Sequence, residues 1–353
     1  MVPGMGPVRL RKLLEIFETP DRILTAKPGQ LRAVNGIGNE TAETIARWED
    51  HVDLPAELNR IQEFGAQVLT LQSREYPKLL REIHNPPIVL YVWGKLEERD
   101  GHGIGVVGSR QASHYGLESA KKLSYQLAYA GMSVISGLAR GIDTAAHQGA
   151  LAAKGRTVAV LGSGLNKLYP AENLALAEKI TESGALITEF SMDTKADTQT
   201  FPMRNRIVSG MSFGLLVVEA GLTSGALITS SQAIDQGRSV YAVPGPINRP
   251  TSAGSNRLIQ QGAKLVMSAS DILDDMQVLF PETPKFAAAP PRSDLLDELE
   301  KKIYEAIGDS ETPIDEIITK SGLPTAKVSS TLLTLEMKRL VKQLPAQHFV
   351  KLI

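Results

Sequence analysis

The sequence has no cysteine among its 353 residues. This absence excludes disulfides, thiolate metal ligands and thiol nucleophiles, and it fits a reducing compartment. Aromatic residues make up only 5%, so aliphatic side chains must form most of any core. No apolar run approaches the roughly 18 residues that span a bilayer, and no signal peptide is seen at the first residues. We therefore expect a cytoplasmic protein that has no membrane partner.

Neither sign of charge is in excess. The chain has 38 Lys+Arg and 39 Asp+Glu, a formal net charge of -1. A nucleic-acid binder with this balance must concentrate its positive charge locally. The length favours about two to three domains.

An internal repeat marks residues 1–60. The segment Val2–Pro7 (VPGMGP) is echoed by Val34–Asn39 (VNGIGN), and a helical pattern follows each copy. This is typical of a SAM-like helix-hairpin-helix module, in which free helix N-terminal amides can contact a phosphate. A helical bundle whose glycine turns bind nothing is the alternative, and Glu40 and Glu43 weaken DNA binding by the second copy.

Residues 61–280 alternate apolar runs with helical patterns. Continuous β-branched runs separated by helices predict a mainly parallel sheet covered on both faces, the doubly wound, extended Rossmann-like class. A short strand is expected at 88–92. The main strands are predicted at 104–107, 133–135, 157–161, 185–188, 215–218, 239–243 and 264–267.

The last part of the chain reads as a linker and a small domain. Residues 281–293 are rich in proline and alanine and lack periodicity, which is typical of a linker. Residues 294–353 follow the order helix, helix, turn, helix, hairpin of a winged-helix domain. Its third helix, expected at 325–340, has few basic residues, so a DNA groove and a protein partner both remain open.

Several predicted strands end in loops of glycine and serine. Ligands of doubly wound sheets bind beyond the carboxyl ends of the strands, so these loops should lie at one edge, with Arg156 and Arg238 at the opposite edge. Glycine amides and neighbouring cations suit an oxyanion, although glycines also serve tight packing. The predicted phosphate-binding residues are Gly108, Ser109, Arg110, Ser136, Gly137, Arg140, Gly141, Lys167, Ser224 and Gly225.

Cofactor and catalytic patterns are missing. Residues 105–110 do not fit GxGxxG, and GxxxxGK[ST] does not occur, so we predict no nucleotide cofactor, and no metal site either. Asp143 and His147 have the i,i+4 spacing of a base and its orienting group. We favour a structural role, with Asp143 capping a helix and His147 packed against it or hydrogen-bonded to it. No catalytic residue is predicted.

The segment FPMRNR combines an aromatic residue with arginines. Single-stranded nucleic acid needs phosphate contacts and a stacking face, so Phe201, Arg204, Asn205 and Arg206 are candidate DNA contacts. Phe201 as a core residue is the alternative. The two arginines point to different sides in any regular conformation, and Glu219 is the candidate partner of the one that serves structure.

These motifs, in this order, resemble the DprA/Smf family of bacterial DNA processing proteins. The matching segments are VVGSR (106–110), SGLARGIDTAAH (136–147), VAVLGSGLNKLYP (158–170), FPMRNRIVSG (201–210), VVEAGLTSGALIT (217–229) and YAVPGP (241–246). The resemblance implies a non-catalytic homodimer that binds and protects incoming single-stranded DNA and loads RecA onto it in natural transformation. It also implies a phosphate pocket at 108–110 and Arg140, with its lysine at or near Lys167, and a DNA face at Phe201 and Arg204.

A nucleotide-processing enzyme is the alternative function. Related phosphoribohydrolases use a PGGxGT loop with nearby Arg and Glu. The corresponding segment here, 221–226, lacks the double glycine, and only Glu219 remains upstream. Hydrolysis is therefore disfavoured. A protein-interaction scaffold would leave the glycine and serine loops without a role.

Overall fold

The structure is a computed structural model, and the chain divides into two units, 1–287 and 288–353. It describes residues 2–279, 296–308, 311–337, 340–344 and 347–351. The predicted linker 281–293 lies outside the described residues. Within them, no helix is both long enough and apolar enough to cross a bilayer.

The first helices form the predicted helix-hairpin-helix module. They are α1 (Pro7–Phe17), α2 (Pro20–Leu24), α3 (Pro28–Arg32) and α4 (Asn39–Ala46). Gly4 and Gly36 adopt positive φ angles of 74° and 94°, which lets the chain turn tightly before α1 and α4. Leu13, Ile23 and Ile45 are fully or almost fully buried in the shared core.

The basic residues of the first repeat are bonded to backbone carbonyls. Arg9 donates to Gly4 O at 2.6 Å and Lys12 to Asn35 O at 3.3 Å. Arg11 donates to His84 O. These contacts hold the hairpins together and join the module to the following segment.

Within the described residues, nine strands form one sheet in the order β1-β2-β6-β5-β4-β3-β7-β8-β9. Strand β2 pairs antiparallel with both β1 and β6, and the other neighbouring strands of this sheet pair in parallel. The strands are β1 (Gln67–Thr70), β2 (Val89–Gly94), β3 (Ile104–Val107), β4 (Val134–Ser136), β5 (Thr157–Val160), β6 (Ala185–Thr188), β7 (Gly214–Val217), β8 (Ser239–Ala242) and β9 (Lys264–Leu265).

Helices cover both faces of this sheet. They are α5 (Leu54–Phe64), α6 (Lys78–Arg81), α7 (His114–Tyr129), α8 (Ile142–Ala152), α9 (Leu174–Ser183), α10 (Thr200–Met211), α11 (Gly225–Asp235), α12 (Ala253–Gln260) and α13 (Ser270–Leu279). Along β3, Val107 is buried in the core on one face, and Ile104 and Val106 in the core on the other. Burial on both faces explains the continuous apolar runs, and the predicted fold class is confirmed.

The second unit has the predicted winged-helix order. Its elements are α14 (Glu298–Ala306), β10 (Thr312–Pro313), α15 (Ile314–Ser321), α16 (Thr325–Met337), β11 (Val341–Leu344) and β12 (His348–Lys351). Strand β12 pairs antiparallel with both β10 and β11. Ile303, Ile317, Leu332 and Phe349 are buried in one core. The short strand β10 was not predicted from the sequence.

The amino end of the strands is held by a buried ion pair. Arg156, which precedes β5, donates to Asp100 through Nε at 2.9 Å and Nη2 at 2.7 Å. The Ser133 hydroxyl donates to the same carboxylate at 2.6 Å. Arg238, which precedes β8, donates to Leu79 O at 2.9 Å. Both arginines thus lie at strand starts, as predicted, and serve the structure.

Replacement of Arg156 should destabilise the protein strongly. Arg156→Met leaves the buried Asp100 carboxylate without its charged partner, a change that typically costs about 3–5 kcal/mol. Urea denaturation measures the free energy of unfolding. Lys78→Met, which breaks the exposed pair with Glu98, is the control and should change it little. An Arg156→Met protein as stable as the parent would contradict this assignment.

Candidate phosphate-binding cleft

A cleft of about 900 Å³ lies beyond the carboxyl ends of β3 and β7. The order of the strands reverses between β3 and β7. Strands β4, β5 and β6 extend from one side of β3, and β7 pairs with its other side. Doubly wound sheets bind ligands at such a reversal. The walls come from residues 107–111 at the end of β3, 221–226 after β7, the start of α10, and Pro250, Thr251 and Ala253 around the start of α12.

Glycines let the loops of the cleft approach closely. A Cβ atom at Gly108 would lie 2.8 Å from Glu219 O, and one at Gly141, where φ is 75°, would lie 2.3 Å from Ser109 O. The Ser109 amide donates to Glu219 O at 2.7 Å. Sterics therefore explain these two glycines. Gly225, in contrast, opens onto empty space, and Ser224 caps α11 by accepting from the Ala226 amide.

The Arg204 side chain crosses the floor of the cleft. It is only 4% exposed, and its Nη1 donates to Gly137 O and Val160 O, both at 2.5 Å. Nε donates to Asn205 Oδ1 at 3.0 Å. In the described part of the chain, Nη2 has no hydrogen-bond partner, and no carboxylate lies within 4.0 Å. Burial lowers the pKa of Arg204, although the Asp143 carboxylate acts in the opposite direction.

Arg110 is a second cation of the cleft, and it forms no salt bridge with a described residue. Its guanidinium lies 4.6 Å from the centroid of the Phe201 ring, a distance at which the ring face attracts a cation. No carboxylate is within 4.0 Å of it among the described residues. Arg110 and Arg204 both line the cleft, so its positive charge comes from these two side chains.

Arg140 lies beside a smaller pocket of about 170 Å³ that Arg110, Gly137, Phe201 and Arg204 also line. It is exposed and donates to both carboxylate oxygens of Glu172, through Nε at 2.5 Å and Nη2 at 2.8 Å. This ion pair raises the pKa of Arg140. The charge of Arg140 is thus partly neutralised by a residue that sequence reasoning did not consider.

Four predicted residues line neither the cleft nor the smaller pocket: Ser136, Gly141, Lys167 and Arg206. Ser136 is buried, and its hydroxyl donates to Val106 O at 2.6 Å. Lys167 lies 3.9 Å from the Asp193 carboxylate. Arg206 donates to Glu189 rather than to the expected Glu219.

Glu219 has a different partner from the one expected. Its carboxylate accepts from the Ser113 amide at 3.1 Å and the Ser113 hydroxyl at 2.8 Å, just before α7. Since 201–206 is helical, Arg204 and Arg206 project from different faces of α10, and only Arg204 reaches the cleft.

Asp143 and His147 do not contact each other by a hydrogen bond. The Asp143 carboxylate accepts from the Gly137 and Ala139 amides at 3.1 and 3.3 Å, so it shapes the preceding loop. His147 Nδ1 lies 2.6 Å from the Thr157 hydroxyl. Of the two alternatives expected for His147, the hydrogen bond to Asp143 is therefore not formed. Burial, aided by the Arg204 charge, lowers the pKa of His147 to about 3.

Sequence reasoning missed the apolar part of the cleft. Leu222 and Ile228 are exposed and line it together with Pro250. Tyr169, also exposed, lines the smaller pocket. The only sequence signal for these residues was their position near the loops at the carboxyl edge.

Three known families match successive parts of the chain. DNA recombination-mediator protein A matches residues 67–277. The DprA winged helix domain matches 287–347, and the SAM-like helix-hairpin-helix tandem matches 1–47.

Individual proteins agree with these matches. Protein Smf of Synechocystis is 33% identical, covering 99% of this chain and 96% of its own length. DNA processing protein DprA of Bacillus subtilis is 41% identical, covering 63% of this chain and 75% of its own length. The structure of DNA processing protein A from Streptococcus pneumoniae is 34% identical, with a TM-score of 0.69 over 77% of this chain and 94% of that one.

A structure of the Helicobacter pylori protein, described for its single-stranded DNA binding mode, is 25% identical, with a TM-score of 0.54 over 60% of this chain and 96% of that one.

Gly137→Ala should displace Arg204. The added Cβ would lie 2.1 Å from Arg204 Nη1, so the buried side chain must move and lose its carbonyl contacts. Overpacking of this kind costs about 1–3 kcal/mol, measured as the free energy of unfolding in urea. The control Gly225→Ala points into open space and should be tolerated. Equal stability of the two variants would contradict this packing.

Because of His147, the free energy of unfolding should decrease as the pH is lowered. The folded pKa of about 3 lies below the usual 6.5, so the unfolded chain binds a proton first as the pH falls. This contribution is fully present above pH 6.5 and is lost towards pH 3, with a loss of about 1.4 kcal/mol between pH 7.5 and 5.5. Urea denaturation at both pH values should show a smaller fall for His147→Gln, and the exposed His51→Gln should behave as the parent. An unchanged fall in His147→Gln would refute the assignment.

Proposed function

The chain belongs to the DNA recombination-mediator protein A (DprA/Smf) family, and on this basis we propose that its cleft binds the backbone of single-stranded DNA. The Helicobacter pylori relative, described for its single-stranded DNA binding mode, supports this proposal.

One observation carries the proposal: two guanidinium groups, those of Arg110 and Arg204, line the cleft against one carboxylate, that of Asp143, and neither forms a salt bridge within 4.0 Å among the described residues. Keeping a buried guanidinium charged is costly unless an anion compensates it. A phosphodiester is such an anion, and it accepts charge-assisted hydrogen bonds from guanidinium groups. The chain as a whole has a net charge of -1, so this local charge is what would attract DNA.

The surroundings of the arginines suit a single strand. The N-terminus of α11 at Gly225 opens into the cleft, and helix N-termini favour phosphate. Leu222 and Ile228 provide an apolar wall on which unpaired bases can lie with little sequence preference. Several loop amides are already bonded within the protein, so side-chain charge supplies most of the attraction.

Membership of the family supports a more detailed proposal for the cellular role of the protein. As a recombination mediator, the protein would act in the cytoplasm as a homodimer, protect incoming strands, load RecA onto them in natural transformation and perform no catalysis. We retain 1–60, 61–280 and 294–353 as its domains. The loop glycines, Ser109, Ser224, Arg140 and Lys167 remain proposed DNA contacts, with Arg140 weaker because Glu172 already holds it, whereas the buried Ser136 does not.

Binding of a fluorescent oligo-dT, followed by anisotropy, tests the proposal. The parent should bind with a strong salt dependence, since phosphate contacts release counterions, and should bind duplex of equal length more weakly. Arg110→Ala should cost about 1–3 kcal/mol of binding free energy and reduce the salt slope by about one phosphate contact.

Arg99→Ala is the matched control, because Arg99 pairs with Glu97 near the amino end of the strands, and it should bind as the parent does. An Arg110→Ala protein with parental affinity would contradict the proposed cleft. Turnover of a nucleoside monophosphate by the purified protein would favour the nucleotide-processing enzyme instead.

A further inference from the structure

The ring of Phe201 is already in use within the protein. The Arg110 guanidinium lies 4.6 Å from its centroid. A Cβ added at Gly162 would lie 2.9 Å from Phe201 Cδ1, so the backbone there packs closely on the ring. Phe201 is partly buried. These contacts suit a residue that positions Arg110.

Tyr169 is the more accessible aromatic residue of the same group. Tyr169 is 46% exposed. Its ring centroid lies 5.9 Å from that of Phe201, and the two ring planes are tilted by 50°. It lines the smaller pocket together with Arg110, Arg140 and Arg204. An exposed aromatic face thus stands beside three guanidinium groups.

The backbone near Tyr169 is anchored. Asn173, four residues later, donates from Nδ2 to Leu138 O at 2.8 Å and to the Thr144 hydroxyl at 2.9 Å. The salt bridge between Glu172 and Arg140 also holds this segment against the loop after β4. These bonds fix the segment against the loop after β4, so little ordering of Tyr169 is needed when a ligand arrives.

We propose that Tyr169 stacks on a nucleobase of the bound strand, and that Phe201 instead holds Arg110 against the phosphates. This assignment rests on the proposed function. An aromatic ring stacks on any base because every base has a π face. The phosphates would contact Arg110 and Arg204 while one base, in the smaller pocket, lies against Tyr169.

Two single-stranded probes distinguish contacts with bases from contacts with phosphates. They are oligo-dT and an abasic deoxyribose-phosphate strand of equal length. In anisotropy titrations, Tyr169→Leu should weaken oligo-dT binding about tenfold and leave abasic binding unchanged. Phe201→Leu and Arg110→Ala should weaken both. Tyr169→Phe, which keeps the ring, should retain oligo-dT affinity.

Tyr129→Leu is the matched control, because Tyr129 is an exposed tyrosine that stacks on Tyr125 outside the cleft. It should leave both affinities unchanged. Equal losses for both oligomers in Tyr169→Leu, or failure of Tyr169→Phe to retain oligo-dT binding, would overturn the stacking role. A base-specific loss confined to Phe201→Leu would assign that role to Phe201. If the parent binds neither oligomer, the proposed function itself fails.

Discussion

The guanidinium of Arg204 joins helix α10 to the ends of β4 and β5 through Gly137 O and Val160 O, and the cleft depends on this contact. Gly137 can have no side chain because the guanidinium occupies its place. Asp143 and His147 lie in the electrostatic field of this charge. The positive floor of the cleft is therefore built into the packing of the sheet and helices.

The glycines of the carboxyl edge serve two purposes. Gly108 and Gly141 permit close contacts between loops, whereas Gly225 leaves a helix N-terminus open. The Ser109 and Gly137 amides, expected to face a phosphate, are bonded to Glu219 and Asp143. The cleft therefore offers an anion mainly two arginine side chains, which this packing holds in place, and few free backbone amides.

Charge pairing explains which predicted cations remain available. Arg140, Lys167 and Arg206 each lie beside a carboxylate, that of Glu172, Asp193 or Glu189. Arg110 instead lies over an aromatic ring. Residues that look equivalent in sequence therefore differ in how much charge they can offer an anion.

Much of the architecture was determined by the sequence itself. Apolar runs predicted the main strands, and strand direction predicted that Arg110 and Arg140 follow carboxyl ends while Arg156 and Arg238 precede amino ends. These inferences succeed because periodicity and chain direction are local properties. Tertiary structure alone decided that Arg204 lies under Gly137, that His147 bonds to Thr157, and that Tyr169 stands beside the arginines. Such contacts join residues from different loops, and their geometry depends on the packing of the whole sheet.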